Sequence, residues 1–112
     1  MKEKDPNGIE FNQPGAKGDA GKPRISLIIN GFPRALWAIA EVATYGAKKY
    51  SDGGWQSVPN GQERYFDAGL RHMLKKAMGE DHDADSGLLH LKQEAWNAMA
   101  KLELYLREIE AK

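Results

Sequence analysis

"SGLLHLKQEAWNAMAKLELYLREIE", residues 86–110, is the stretch that decides the fold. Leu88, Leu91, Ala95, Ala98, Leu102, Tyr105 and Ile109 alternate spacings of three and four, and Met99 and Leu106 widen the stripe. A helix of 3.6 residues per turn gathers such positions on one face, and that face leaves water only by packing on other helices. The spacing predicts a helix from near Ser86 to about Glu110. Ser86 is the expected N-cap, with Asp83 and Asp85 at the electropositive start. His90, Glu94 and Asn97, at i, i+4 and i+7, have a spacing that metal and acid–base sites use and that a polar outer face also shows; the outer-face reading suits Glu94 better than His90, which lies beside the acidic turn.

Upstream, Tyr65, Ala68, Gly69, His72, Met73 and Ala77 carry a helical period over about 62–78. Gly79 is its expected stop, and Lys75 and Lys76 sit in the last turn, where they oppose the dipole. "SDGGWQSVPNGQ", residues 51–62, reads as a loop on its Gly, Pro, Ser, Asp and Asn content. Before it, Leu36, Ile39, Ala40, Ala43 and Ala47 predict a helix over about 33–49. Pro33 suits its first turn, and Gly46 is a place for it to end or bend. "ISLII", residues 25–29, is β-branched and apolar, so a short strand or an extended segment is expected, although no second strong strand is available to pair with it. Residues 1–24 hold four glycines and three of the five prolines, and read as a flexible arm.

The expectation is therefore an all-α chain: three helices with an irregular N-terminal arm, and residues 25–112 as a single helical domain. Helices with stripes this broad in a chain of 112 residues are expected to complete their core as a helical homo-oligomer.

Composition limits the chemistry. Lys+Arg and Asp+Glu are both 16, so the basic footprint of an extended nucleic-acid binder is absent. No apolar run reaches the roughly 18–20 residues of a membrane span, and the first residues have no hydrophobic segment of the secretory kind. A cytoplasmic protein is expected. With no cysteine, a metal would need imidazole and carboxylate ligands, which points to Mg or Mn.

"GEDHDADSGLLHL", residues 79–91, concentrates such ligands. Asp81, Asp83 and Asp85 lie in the turn beside Glu80, with His72 about two helical turns before it and His90 just after. In an antiparallel helix pair both histidines reach the same end. These five residues, His72, Asp81, Asp83, Asp85 and His90, are the metal candidates. The same composition also describes a solvated turn before a helix. Basic and aromatic groups are spread more widely: Lys22 and Arg24, then Tyr45, Lys48, Lys49, Tyr50 and Trp55, then Arg64 and Arg71 seven residues apart on one helix face. Arg and Lys suit phosphate and aromatic rings suit a base, so the set reads as a nucleotide site. No P-loop, G-x-G-x-x-G or G-x-S-x-G setting is present.

Several ordered motifs, "DAGKPRISLI" (19–28), "EVATYGAKKY" (41–50), Trp55, "RYFDAGLRHMLKKAMGED" (64–81) and "DSGLLHLKQEAWNAMAKLEL" (85–104), resemble the phage and prophage family of dATP/dGTP diphosphohydrolase N-terminal domains. The resemblance spans about residues 18–106. It implies an all-helical, nucleotide-directed phage protein of the host cytoplasm, and cleavage of a purine deoxynucleoside triphosphate between its α and β phosphates. Matching positions are Lys22, Arg24, Tyr45, Gly46, Lys48, Lys49, Tyr50, Arg71, His72, Gly79-Glu80-Asp81, Asp85-Ser86-Gly87 and His90. In the enzyme reading His72, His90 and Asp81 are catalytic through a divalent ion. In the alternative, the same pocket is a non-catalytic sponge that sequesters a nucleotide immune signal in an anti-defence role.

Overall fold

The computed structural model describes residues 3–112 and divides the chain into two compact units, Met1–Gly31 and Phe32–Lys112. In the first unit the Asp5 carboxylate organises the chain. It accepts the backbone N–H groups of Asn7 (2.9 Å), Ile9 (2.9 Å) and Lys17 (3.0 Å). Lys4 and Glu10 pair as an isolated antiparallel bridge. The unit ends in α1, Ser26–Gly31.

That short helix corrects the reading of "ISLII" as a strand. A strand leaves every N–H and C=O in need of a neighbour, and no partner strand exists among the described residues. A single turn supplies bonds locally instead: Leu27 N–H to Arg24 O, and Ile28 and Ile29 N–H to Ile25 O.

The second unit holds α2 (Pro33–Lys49), a 3₁₀ turn (Gly54–Ser57), α3 (Gly61–Ala77) and α4 (His90–Glu110). Its three long helices fall where expected. Pro33 occupies the first turn of α2, where its missing N–H costs nothing. Gly46 neither ends nor breaks that helix; its carbonyl accepts the Tyr50 N–H at 2.9 Å. Gly79 stops α3 as predicted. With φ at 97° it allows Glu80 N–H to reach Lys75 O and Gly79 N–H to reach Lys76 O, both at 3.0 Å. That double bond pattern closes a helix C-terminus.

Two features of α4 differ from expectation. It begins at His90, four residues after Ser86, with Leu89 in the N-cap position and no side-chain cap. Residues 83–89 use their hydrogen bonds to close a loop instead: Asp83 N–H to Leu88 O (2.8 Å), Gly87 N–H to Asp83 O (2.8 Å), and Leu88 N–H to Ser86 Oγ (3.1 Å). The second difference is the buried face. The residues of α4 that are buried are His90, Gln93, Asn97 and Ala100, while Leu91, Met99, Leu102, Tyr105, Leu106 and Ile109 are exposed. The seam lies one to two residues off the apolar stripe. α4 thus turns a largely polar seam toward α3 and α2, against which it packs, and its greasy side outward. Among the described residues only Val42 and Ala100 are buried hydrophobics.

Candidate metal centre

The loop between α3 and α4 builds the site. His90 N–H donates to Asp81 O (2.9 Å), and His82 pairs with Leu89 as an isolated bridge. These contacts pin the first residue of α4 under the end of α3. His90 is fully buried, with no exposed surface. Its Nδ1 lies 2.8 Å from Nδ1 of His72, half-buried on α3, and the two rings are 5.1 Å apart. Asp83 completes the group: ligand atoms of His72, Asp83 and His90 all lie within 4.8 Å of one another.

The protonation states suit cation binding. Burial, and then the His90 imidazole beside it, hold His72 below the ordinary histidine range, against the opposite pull of Asp83. His72 is therefore neutral near pH 7, with a lone pair to offer. Burial pushes the Asp83 carboxyl up. The Asp85 N–H, the Gln93 side chain and the two imidazoles outweigh it and hold Asp83 below its usual value. Two imidazoles and an ionised carboxylate are a donor set for a divalent ion, leaving positions for water or substrate.

The other candidates divide clearly. Asp81 is taken by Lys76 through a direct ion pair. Asp85 is exposed, and its N–H donates to Asp83 Oδ1 at 3.0 Å. Neither carboxylate joins the histidines. Arg71 is exposed beside His72 and its charge is felt there. Lys48, Lys49 and Tyr50 are exposed at the end of α2, with Tyr45 half-buried. Lys49 stands over the Tyr50 ring at 5.3 Å and the Tyr45 ring at 6.0 Å, and it feels the charge of Asp85. Arg64, two helical turns from His72, donates to Pro59 O at 3.3 Å. Lys22 and Arg24 are exposed residues of the first unit. Trp55 is half-buried and packed edge-on against Tyr65 (6.4 Å) and Trp96 (5.9 Å), with Arg107 at 5.6 Å; its surroundings are protein.

A profile described as "dATP/dGTP diphosphohydrolase, N-terminal" matches residues 12–112, nearly the whole chain. The chain belongs to this family. A relative from Salmonella phage PMBT28, named dATP/dGTP diphosphohydrolase, is 38% identical over 85 residues, covering 76% of this chain and 28% of its own length. The chain thus spans under a third of that curated relative. No solved structure matches. No helix among the described residues is long and apolar enough to cross a membrane.

The family match covers the whole α3–loop–α4 segment that carries the centre. Two residues there escaped the candidate set. Gln93, one turn after His90 and buried, donates to Ser86 Oγ (3.1 Å) and Leu88 O (3.3 Å), bracing the loop. Asn97, read as outer face, is buried and donates to Gln93 O at 2.8 Å. Their signal was a polar series at 90, 93 and 97, an inward helical period made of hydrogen-bonding groups.

Proposed function

We propose that this chain acts in metal-dependent hydrolysis of purine deoxynucleoside triphosphates. In that reaction dATP or dGTP and water give the monophosphate and pyrophosphate, with attack at the α-phosphorus and departure of the pyrophosphate. The reading is supported by family membership. The observation that carries it is the convergence of His72, Asp83 and His90 at the loop of residues 80–89. These three would hold a divalent ion of the Mg or Mn kind, which when bound supplies a Lewis acid and an activated water. Arg71, and Lys48 with Lys49 at the end of α2, would oppose the charge of the triphosphate. Tyr50, 77% exposed, offers its ring to a purine.

Incubation with dATP or dGTP plus Mn(II) or Mg(II), followed by chromatography, tests this. Monophosphate should form and fall by at least about a hundredfold in His72→Ala, as expected when a metal ligand is removed. Recovery of unaltered nucleotide on denaturation would favour sequestration of a nucleotide signal in the host cytoplasm. Absence of nucleotide binding would remove both readings.

We also infer that the working form is a homo-oligomer. On α4 alone, Leu91, Met99, Leu102, Tyr105, Leu106 and Ile109 are exposed, and such a face is removed from water by packing on another helix. Standard interfaces take about 800 Å² from each partner. The groove between α3 and α4, about 430 Å³, is lined by Phe66, Leu70, Met73, Ala98, Leu102 and Tyr105. With only Val42 and Ala100 buried among the hydrophobic side chains of the described residues, a second copy would supply the missing apolar contacts.

A further inference from the structure

We propose that the His72–Asp83–His90 centre takes a first-row transition ion such as Zn(II) or Mn(II) in preference to Mg(II), and that Glu80 positions His90 for it. The inference rests on the reading of this centre as an ion site and deepens it. Glu80 opens the loop and is not a ligand in that reading.

The argument starts from the outer nitrogen of His90. Nε2 is buried, and among the described residues it is the buried side-chain atom that lacks a hydrogen bond. It lies 3.4 Å from Glu80 Oε1, on a side chain 43% exposed. A neutral imidazole carries one N–H. With the hydrogen on Nδ1, His90 would face the carboxylate with a lone pair, two acceptors opposed inside the protein. With it on Nε2, the N–H faces Glu80 and the Nδ1 lone pair faces His72. The carboxylate therefore selects the tautomer that offers Nδ1 to the centre. A carboxylate behind a ligating histidine fixes ring orientation and raises its basicity.

Ion preference follows from the donors. Mg(II) favours oxygen ligands and retained waters. Imidazole nitrogen suits transition ions, and affinity for them rises from Mn to Cu and then falls at Zn. The other two acids that could have made an oxygen-rich site, Asp81 and Asp85, are turned to Lys76 and to solvent.

Calorimetric titration of chelator-treated protein, without nucleotide, tests both parts. ZnCl₂ and MnCl₂ should each bind at one ion per chain, at least about a hundredfold tighter than MgCl₂. Glu80→Gln should weaken Zn(II) and Mn(II) about 10- to 100-fold while the melting temperature of the metal-free protein is unchanged, and Glu80→Asp should recover part of the loss. Equal affinity for Mg(II), or no ion bound, overturns the proposal. An unchanged Glu80→Gln overturns the role of Glu80. Tight Mn(II) binding with no triphosphate turnover would remove the hydrolase reading and leave this one intact.

Discussion

Replacing Trp55 separates a structural ring from a base platform. Its indole meets Tyr65 at 62° and Trp96 at 80°, and Tyr65 and Trp96 meet each other at 5.4 Å and 86°. Tyr65 Oη donates to the Trp55 carbonyl at 2.7 Å, tying the 3₁₀ turn to α3. Trp55→Ala removes two edge-to-face contacts, about 0.5–1.5 kcal/mol each, and an Arg107 cation–π contact of about 0.5–1 kcal/mol. Fully buried Trp→Ala changes cost about 3–5 kcal/mol; the half-exposed ring places this one at about 2–3 kcal/mol. At about 4 °C per kcal/mol for a chain of this size, the melting temperature should fall by about 8–12 °C. Tyr65→Phe, which keeps the ring and loses the hydrogen bond, should cost about 1 kcal/mol. The assay is thermal unfolding by circular dichroism at fixed protein concentration, paired with dATP titration below the transition. If Trp55→Ala melted like wild type yet lost tenfold or more in dATP affinity, the packing argument would be wrong and the ring would be a nucleotide contact.

Two further outcomes follow from the structure. The Asp5 carboxyl is held below the usual carboxylate range, first by the Ile9 N–H and then by that of Lys17. Because its folded value is the lower one, its contribution is complete above the unfolded value of about 4 and is lost as pH falls through the folded value. Amide exchange at Asn7, Ile9 and Lys17 should be slow at neutral pH in wild type, lose that protection in acid, and be fast throughout in Asp5→Asn. On α4, Leu102 is 56% exposed in the α3–α4 groove, so Leu102→Glu should leave helicity intact while converting an oligomer to monomer in light scattering behind size exclusion; an unchanged mass would place the interface elsewhere.

The helix boundaries were legible because they rest on local chemistry. Pro33 and Gly79 each act within one turn, and no distant contact alters what a missing N–H or a left-handed φ permits. The start of α4 was not legible for the opposite reason. Ser86 has the side chain of an N-cap, but its oxygen is engaged by Leu88 N–H and Gln93 Nε2. Whether a serine caps a helix or braces a loop depends on where the loop closes, here through the Asp83–Leu88 and Asp81–His90 backbone bonds. The same closure explains why the histidines were identifiable and the partner carboxylate was not. Asp81, Asp83 and Asp85 are equivalent by composition; the fold turns Asp83 inward, gives Asp81 to Lys76 and leaves Asp85 to solvent.

The offset between the buried seam and the apolar stripe of α4 carries a functional consequence. Apolar residues at a helical period are expected to face inward because burying them lowers free energy. Here His90, Gln93 and Asn97 take those positions, each a polar group whose burial is unfavourable unless its atoms are bonded. Gln93 and Asn97 meet that condition within the chain, through Ser86, Leu88 and the Gln93 carbonyl. His90 Nε2 does not meet it. A helix with an apolar stripe available gains nothing in monomer stability by rotating that stripe to solvent and a histidine to its interior. The arrangement becomes favourable when the inner face holds a ligand and the outer face holds another protomer. The two proposals thus draw on one observation from opposite sides of the same helix. Losing the oligomer should loosen the metal centre: Leu102→Glu protein should bind Mn(II) more weakly, although Leu102 lies about three turns from His90.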